Sequence, residues 1–527
     1  MKKFPDFNDL CTQLNAVKNT SGNINESPEN AVECSGLSLN SQDEIKGKIF
    51  IAIPGSSADG REYIQQASDA GACAVICEAK GLTEQQSNIL SLLDIPWICV
   101  DDLVLQLAKL ADYFYDYPAK KLKLVGVTGT NGKTSVCQLT ADIISRITGQ
   151  CGQMGTLGNG LAGKLKTSMN TTSDVLTIRR TFAEVAERKA GHLIMEVSSH
   201  ALHQGRVAGL QFDVVVLTNL SRDHLDYHHS LESYAQVKRS LFTDYAAKYA
   251  VLNKDDEFAR TLIQDNSIQA RKIVYSIADK TEVMAEKNRA DGMNNSKEQS
   301  YPYEEVIASQ LKILPAGQQF LLQTPWGEAE INIPLLGQFN LSNVLAVVSI
   351  LGCLNFSWEN IVSEIHNIAA VPGRMEVFIE KNRPVVVVDY AHTPDALLKA
   401  LTALRTHCQG KLWCVFGCGG DRDSGKRALM AAVAEKTADE IIVTDDNPRF
   451  EDGDSIIKDI LTGIKHKDHT RVIRDRYQAI AEAIASADTG DTILIAGKGH
   501  EDYQLVAGKT LPFSDRDVVK EILKEAA

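Results

Sequence analysis

The stretch Gly126-Val127-Thr128-Gly129-Thr130-Asn131-Gly132-Lys133-Thr134-Ser135 constrains this chain more than any other. It follows the apolar run Lys120 to Val127 and opens a helical pattern from Thr134 to Ile147, so strand, glycine turn and helix come in that order. Glycines let backbone N–H groups approach phosphate oxygens, and a helix N-terminus adds a favourable dipole. The spacing predicts a phosphate-cradling loop in a parallel α/β sheet, with Gly129, Thr130, Asn131, Gly132, Lys133, Thr134 and Ser135 around a nucleotide. Lys133 is expected beside the terminal phosphates and Thr134 on magnesium. Val127 stands where the common phosphate loop has its first glycine, and Gly126 and Gly129 are expected to supply the flexibility instead.

A chain of 527 residues exceeds what one hydrophobic core usually organises, and three domains are expected. Hydrophobic residues at 44% and charged residues at 23% fit globular domains with real cores. The net charge of -13 argues against nucleic-acid or anionic-membrane partners, so an anionic substrate needs local lysines and arginines. The opening Met1-Lys2-Lys3-Phe4-Pro5-Asp6 lacks the apolar run of an export signal, and Leu345 to Leu354 is too short to span a membrane. Several of the eleven cysteines (Cys73, Cys77, Cys99, Cys414) lie in strand-like apolar runs, as reduced core thiols do. The expectation is a cytoplasmic monomer acting on small molecules, without membrane insertion.

Apolar runs at Lys48 to Ile53, Ala72 to Cys77 and Trp97 to Val100, with a helical stretch from Arg61 to Ala70, predict a small N-terminal α/β domain over 1–117. A central domain over 118–368 contains the glycine loop and the continuous apolar runs Leu193 to Val197 and Val214 to Leu217, expected of a mostly parallel sheet. The polar segment Thr281 to Tyr303 reads as a surface excursion within it. Strand runs near Val385 to Val388, Leu412 to Phe416, Glu440 to Val443 and Thr492 to Ile495 alternate with helices, predicting a Rossmann-like doubly wound domain over 369–527.

Polar clusters close these strands. Glu196-Val197-Ser198-Ser199-His200 ends one, and Asn219 to His228 ends the next. Glu196 and His224 are candidate ligands for a divalent ion. Asp223, His224, Asp226, His228 and His229 also admit a metallohydrolase reading. Lys238, in the helical stretch Tyr234 to Phe242, is either a solvated lysine or one that CO2 converts to a carbamate able to bind magnesium. In the third domain Asp389 to Pro394, Gly417 to Arg427, Asp446-Asn447-Pro448-Arg449 and Gly497-Lys498-Gly499-His500-Glu501 follow strands, and four such loops are expected to converge on one site.

Taken in order, these stretches resemble the Mur ligase family from about Leu39 to the C-terminal helix, with Gly337-Gln338-Phe339-Asn340, Asn343 and Pro372-Gly373-Arg374 as further matches. The resemblance implies a ligase using ATP to join an amino acid to a nucleotide-linked cell-wall precursor. The three domains would then bind the UDP-precursor, ATP and the amino acid in turn. It implies contacts from Leu39, Ser41, Ser56, Ser57 and Ala58 to the uridine nucleotide, although Asn40-Ser41-Gln42 replaces the family's usual Asp-Ser-Arg. Asn170, Thr171, Thr172, Ser198, Gln204 and Arg206 would hold the muramoyl-dipeptide, and Asn340, Asn343 and Arg374 would face ATP. Lys238 falls where the family carries its carbamoylated lysine, giving a catalytic set of Lys133, Glu196, His224 and Lys238 and magnesium on Thr134, Glu196, His224 and the carbamate.

Within the family, Asp446-Asn447-Pro448-Arg449 resembles the signature of members that add meso-diaminopimelate to UDP-N-acetylmuramoyl-L-alanyl-D-glutamate. That amino acid carries a second carboxylate that lysine lacks, and an arginine fork can grip it. Arg422, Gly497 and Glu501 would complete this pocket, with Glu501 taking the ammonium. The resemblance implies an acyl-phosphate intermediate in peptidoglycan synthesis. The same reaction with L-lysine, a P-loop kinase or GTPase, and a non-catalytic nucleotide-binding protein remain as alternatives.

Overall fold

The computed structural model describes residues 7–14, 34–42, 44–55, 58–168, 170–278, 303–314 and 317–525. The chain forms two compact units, one of Met1–Leu252 with Asp256–Lys272 and the other of Asn253–Asp255 with Ile273–Ala527.

The first unit holds two sheets. Leu37–Ser38, Ile49–Ala52, Ala74–Glu78 and Trp97–Val100 lie in chain order and all pair in parallel. The expected helix at Arg61 to Ala70 is a 3-10 turn, Gly60–Tyr63, running into the helix Ile64–Asp69. In the other sheet Ala247–Asn253, Phe212–Leu217, Lys123–Thr128, His192–Glu196 and Gly152–Gly155 are successive parallel neighbours, and Gly158–Leu161 and Lys164–Lys166 extend it antiparallel. Val125, Val127, Ile194, Met195, Val215 and Val216 are all buried. This is why these strands read as unbroken apolar runs rather than alternating ones.

The second unit carries an antiparallel meander, Tyr303–Leu314, Gly317–Thr324 and Gly327–Ile333, followed by the almost wholly buried helix Gln338–Cys353. Its six-stranded sheet runs Glu376–Phe378, Val385–Asp389, Thr492–Ala496, Leu412–Phe416, Glu440–Val443, Thr470–Val472. The first pairs antiparallel and the rest parallel. Apolar clusters cover both faces, one around Val387, Cys414 and Leu494 and one around Val388, Val415 and Ile495. That is the doubly wound arrangement expected of the third domain. A hairpin, Tyr503–Val506 with Lys509–Pro512, follows the last strand. The greater part of the expected excursion at Thr281 to Tyr303 lies outside the described residues.

Candidate functional site

The strand Lys123–Thr128 delivers the glycine loop to the N-terminus of the helix Lys133–Thr148, whose cap is Gly132 at φ +85°. Gly129, at φ +146°, can carry no side chain, because a Cβ there would run into Thr218 Oγ1. Gly126 does not lend the loop flexibility, contrary to expectation. It is paired inside the strand with Val215, and a Cβ would come within 2.8 Å of the Phe212 ring. The sequence also gave no hint that the next strand clamps the loop. Asn219 accepts from Asn131 N at 3.0 Å and donates to Asn131 O at 3.1 Å, while its carbonyl takes Thr130 N at 2.9 Å.

Lys133 Nζ folds back to donate to the carbonyls of Gly129 at 2.8 Å and Thr130 at 2.9 Å. Lys238 Nζ donates to the same Gly129 carbonyl at 2.9 Å and lies 4.6 Å from the centre of the Tyr234 ring. The bland reading of Lys238 as a solvated helix lysine is overturned, since its side chain is 1% exposed. Burial first, and then the charge of Lys133, hold its ammonium well below the usual lysine range. A lysine whose pKa is lowered is the readier nucleophile, and carbamoylation would set an anion beside Lys133.

Glu196, buried at the end of its strand, accepts from Thr134 Oγ1 at 3.1 Å and from Thr156 N at 2.8 Å. This hydroxyl–carboxylate pair is an oxygen-donor set suited to magnesium. His224, at φ +52°, is half exposed, with its ring 5.0 Å from that of His200. Among the described residues no three His, Cys, Asp or Glu side chains are grouped to hold a metal ion. His228 instead turns inward, with Nε2 2.9 Å from Ser199 Oγ, and burial lowers it to about 4. The side chain of Asp226 lies outside the described residues.

Several of the dipeptide candidates come together. Thr172 Oγ1 donates to the Glu196 carbonyl at 2.8 Å and accepts from Ser198 N at 3.0 Å. Arg206 donates to Thr172 O at 2.6 Å and, through Nε, to Gln204 Oε1 at 2.9 Å. Thr171 Oγ1 accepts from Thr156 Oγ1 at 3.4 Å, and Asn170 is exposed beside it in the chain. In the N-terminal sheet region Ser41 Oγ donates to Gln66 Oε1 at 3.3 Å, Leu39 packs on the core, and Ala58 is exposed. Ser56 and Ser57 lie outside the described residues.

In the second unit the four strand-end loops do converge. Gly497 N donates to Asp389 O at 3.1 Å, Gly420 N to Asn447 O at 2.9 Å, and Lys426 Nζ to His392 O at 2.9 Å. Arg449 adopts φ +56°, its Nη1 donating to Gly420 O at 2.8 Å, and Arg422 is exposed on the same turn. Asp446 is buried against Gly497, where a Cβ would come 2.6 Å from its Oδ2. Glu501 is not a free carboxylate: its Oε2 already accepts from Asn447 Nδ2 and from Lys498 Nζ, each at 3.0 Å. Pro448 is buried between these residues in sequence. Asn340 and Asn343 are buried in the helix Gln338–Cys353, Asn340 Nδ2 donating to Leu336 O at 2.9 Å. Arg374 stacks 4.6 Å from the Tyr390 ring centre, its Nε without a hydrogen-bond partner among the described residues.

A chain from Coxiella burnetii named UDP-N-acetylmuramoyl-L-alanyl-D-glutamate--2,6-diaminopimelate ligase is 44% identical over 477 residues, 90% of this chain and 93% of that one. This chain belongs to the Mur ligase family. Three family profiles match successive stretches of the ligase: the Mur ligase family catalytic domain over 33–115, the Mur ligase middle domain over 127–351, and the glutamate ligase domain over 373–499. A Pseudomonas putida relative of the same name is 45% identical over 91% of this chain and 92% of its own. A solved structure bearing that name is 35% identical, with a TM-score of 0.64 over 94% of this chain and 95% of that one. The same three-domain α/β fold recurs at 16% identity and a TM-score of 0.63 in an Acinetobacter baumannii D-alanyl-D-alanyl-adding ligase, over 99% of this chain and 100% of that one.

Sequence reasoning passed over two parts of this Mur ligase's sites. One is the Asn219 clamp; the other is Lys498, whose side chain is wholly buried between Asn447 and Glu501. Its place in Gly497-Lys498-Gly499, straight after a buried strand, was the available signal.

Proposed function

We propose that this chain is the ATP-dependent ligase that adds meso-2,6-diaminopimelate to UDP-N-acetylmuramoyl-L-alanyl-D-glutamate in cytoplasmic peptidoglycan precursor synthesis. The observation that carries the reading is the 44% identity to a ligase of that name over nine-tenths of the chain. Arg449 supports the choice of amino acid, because a guanidinium held at a strand-end pocket suits a second carboxylate.

In the proposed reaction the side-chain carboxylate of the D-glutamyl residue attacks the γ-phosphorus of ATP. The bond to the ADP oxygen breaks, leaving an acyl phosphate. The diaminopimelate amine then attacks the acyl carbon, phosphate departs with the bonding pair, and the amine loses a proton. Lys133 swings from its loop carbonyls to the transferring phosphate, whose developing charge is the main catalytic demand. Thr134, Glu196, His224 and carbamoylated Lys238 would hold magnesium, which when bound supplies compensating positive charge to the phosphates. The carbamate forms when neutral Lys238 Nζ adds to CO2 and releases one proton.

Gly129 to Ser135 with Asn340, Asn343 and Arg374 bind ATP in this reading. Leu39, Ser41, Ser56, Ser57 and Ala58, then Asn170, Thr171, Thr172, Ser198, Gln204 and Arg206, bind the UDP-precursor. Arg422, Asp446, Asn447, Pro448, Arg449, Gly497 and Glu501 bind diaminopimelate. The domains are taken as 1–117, 118–368 and 369–527, and the enzyme as a monomer. No helix among the described residues is long and apolar enough to cross a membrane.

The test is ADP release by purified protein with ATP, magnesium and the UDP-dipeptide, comparing meso-diaminopimelate with L-lysine and weighing the products. A product heavier by one diaminopimelate residue, with little from lysine, is expected. Efficient lysine use overturns the specificity, and ADP release without an amide product overturns the ligase.

A further inference from the structure

Lys498 has a wholly buried side chain at the carboxyl end of the strand Thr492–Ala496. A buried ammonium is costly unless paired, and a well-packed apolar side chain of that size serves a core at least as well. The charge therefore has to be explained by what it touches. Nζ donates to Asn447 Oδ1 at 3.1 Å and to Glu501 Oε2 at 3.0 Å, and Asn447 Nδ2 donates to that same Glu501 oxygen at 3.0 Å. The three side chains form a closed triangle.

The triangle also fixes which way the Asn447 amide faces. Its Oδ1 accepts both Lys498 Nζ and Leu505 N, the latter at 2.9 Å, so Nδ2 must point to Glu501. Leu505 belongs to the hairpin strand Tyr503–Val506, and its carbonyl in turn accepts from Arg449 N at 2.9 Å. One buried ammonium thus stands behind two of the residues assigned to the incoming amino acid: Glu501 directly, and the Arg449 backbone through Asn447 and Leu505.

We propose that Lys498 is the positioning residue of the amino-acid pocket, orienting the Glu501 carboxylate and the Asn447 amide so that the pocket reads the ammonium and distal carboxylate of one amino acid. This inference rests on the reading of the pocket as the diaminopimelate site. Paired with Lys498, Glu501 offers an incoming ammonium an oriented, largely neutralised partner rather than a lone anion. Recognition then depends on geometry more than on net charge.

The experiment is steady-state kinetics of Lys498→Met and Lys498→Gln beside the unaltered enzyme, varying each substrate in turn. Loss of one charge-assisted positioning contact raises KM for meso-diaminopimelate about tenfold in Lys498→Met, less in Lys498→Gln, which keeps a donor. KM for ATP and for the UDP-dipeptide, and kcat at saturating diaminopimelate, stay within about threefold by the same argument. If Lys498→Met does not fold, Lys498→Gln decides on the same criteria. A joint rise in all three KM values, a fall in kcat alone, or no change overturns the inference while leaving the ligase intact. An unaltered enzyme that makes no amide with diaminopimelate overturns the functional reading and this inference with it.

Discussion

Replacing Arg449 by lysine keeps the charge and removes the fork, and the structure says what that costs. The Arg449 backbone is pinned in the left-handed region at φ +56°, its N–H on Leu505 O at 2.9 Å and its carbonyl taking Ala507 N at 2.6 Å. One arm of the guanidinium, Nη1, is committed to Gly420 O at 2.8 Å. The remaining nitrogens are what an incoming carboxylate can use. A lysine ammonium cannot hold Gly420 and also offer two parallel donors, so at least one charge-assisted hydrogen bond is lost, worth about 1.5–3 kcal/mol. At roughly 1.4 kcal/mol per factor of ten, kcat/KM for meso-diaminopimelate falls about ten- to a hundredfold. L-lysine has no second carboxylate, so its kcat/KM moves less than about threefold. ADP release coupled to product mass measures both. Equal losses for the two amino acids would mean that Arg449 only supports the turn, and an unchanged diaminopimelate rate would refute the fork argument outright.

Lys133→Ala removes the amine that now donates to the loop carbonyls of Gly129 and Thr130, and turnover should drop at least about a hundred- to a thousandfold with an unchanged circular dichroism spectrum; retained turnover would remove the phosphate role. Stripping dissolved CO2 should lower activity and bicarbonate restore it, with intact-mass analysis showing one CO2 added at Lys238; indifference to CO2 argues that the buried amine itself suffices. His407, buried in the second unit, accepts from Gly337 N at 3.1 Å through Nε2 and sits 2.8 Å from Leu314 O through Nδ1, so it must be neutral to fill both roles. Burial lowers it below its ordinary 6.5, so the unfolded chain binds more protons as pH falls through 6.5. Stability is therefore lost on acidification from that point, and urea midpoints at pH 7.5 and 5.5 should differ less in His407→Gln than in the unaltered chain; an equal difference would clear His407.

Strands buried on both faces were legible because burial on both sides leaves a continuous apolar run, as at Val385–Asp389 and Leu412–Phe416. The meander Tyr303–Ile333 was passed over although Gly327–Ile333 alternates in the sequence, because one face is solvated and its apolar count is low. The loops that close strands were legible as polar motifs, since ligands sit at such ends. What linked them was not. Asn219 clamps Asn131 from 88 residues away, and Asn447 meets Lys498 across 51. Neither partnership leaves a local pattern. Gly126 shows the converse error: a glycine near a loop invites a flexible reading, yet here it only makes room for Phe212.

The charge balance of the phosphate site follows from the same contacts. With a net charge of -13, the chain as a whole repels anionic substrates, but that field is screened within about 8 Å at physiological salt. Binding is then decided by the few groups at the loop. Lys133 and Lys238 converge on one carbonyl, that of Gly129, and two full positive charges there would repel each other in a buried setting. Burial and the Lys133 charge both lower the Lys238 pKa, which eases that repulsion. Its conversion to a carbamate would go further, setting an anion opposite Lys133 and beside Glu196's end of the sheet only if a divalent cation balanced it. The dependence of activity on CO2 should therefore be steepest at low magnesium, and a CO2 response independent of magnesium concentration would separate the carbamate from the metal.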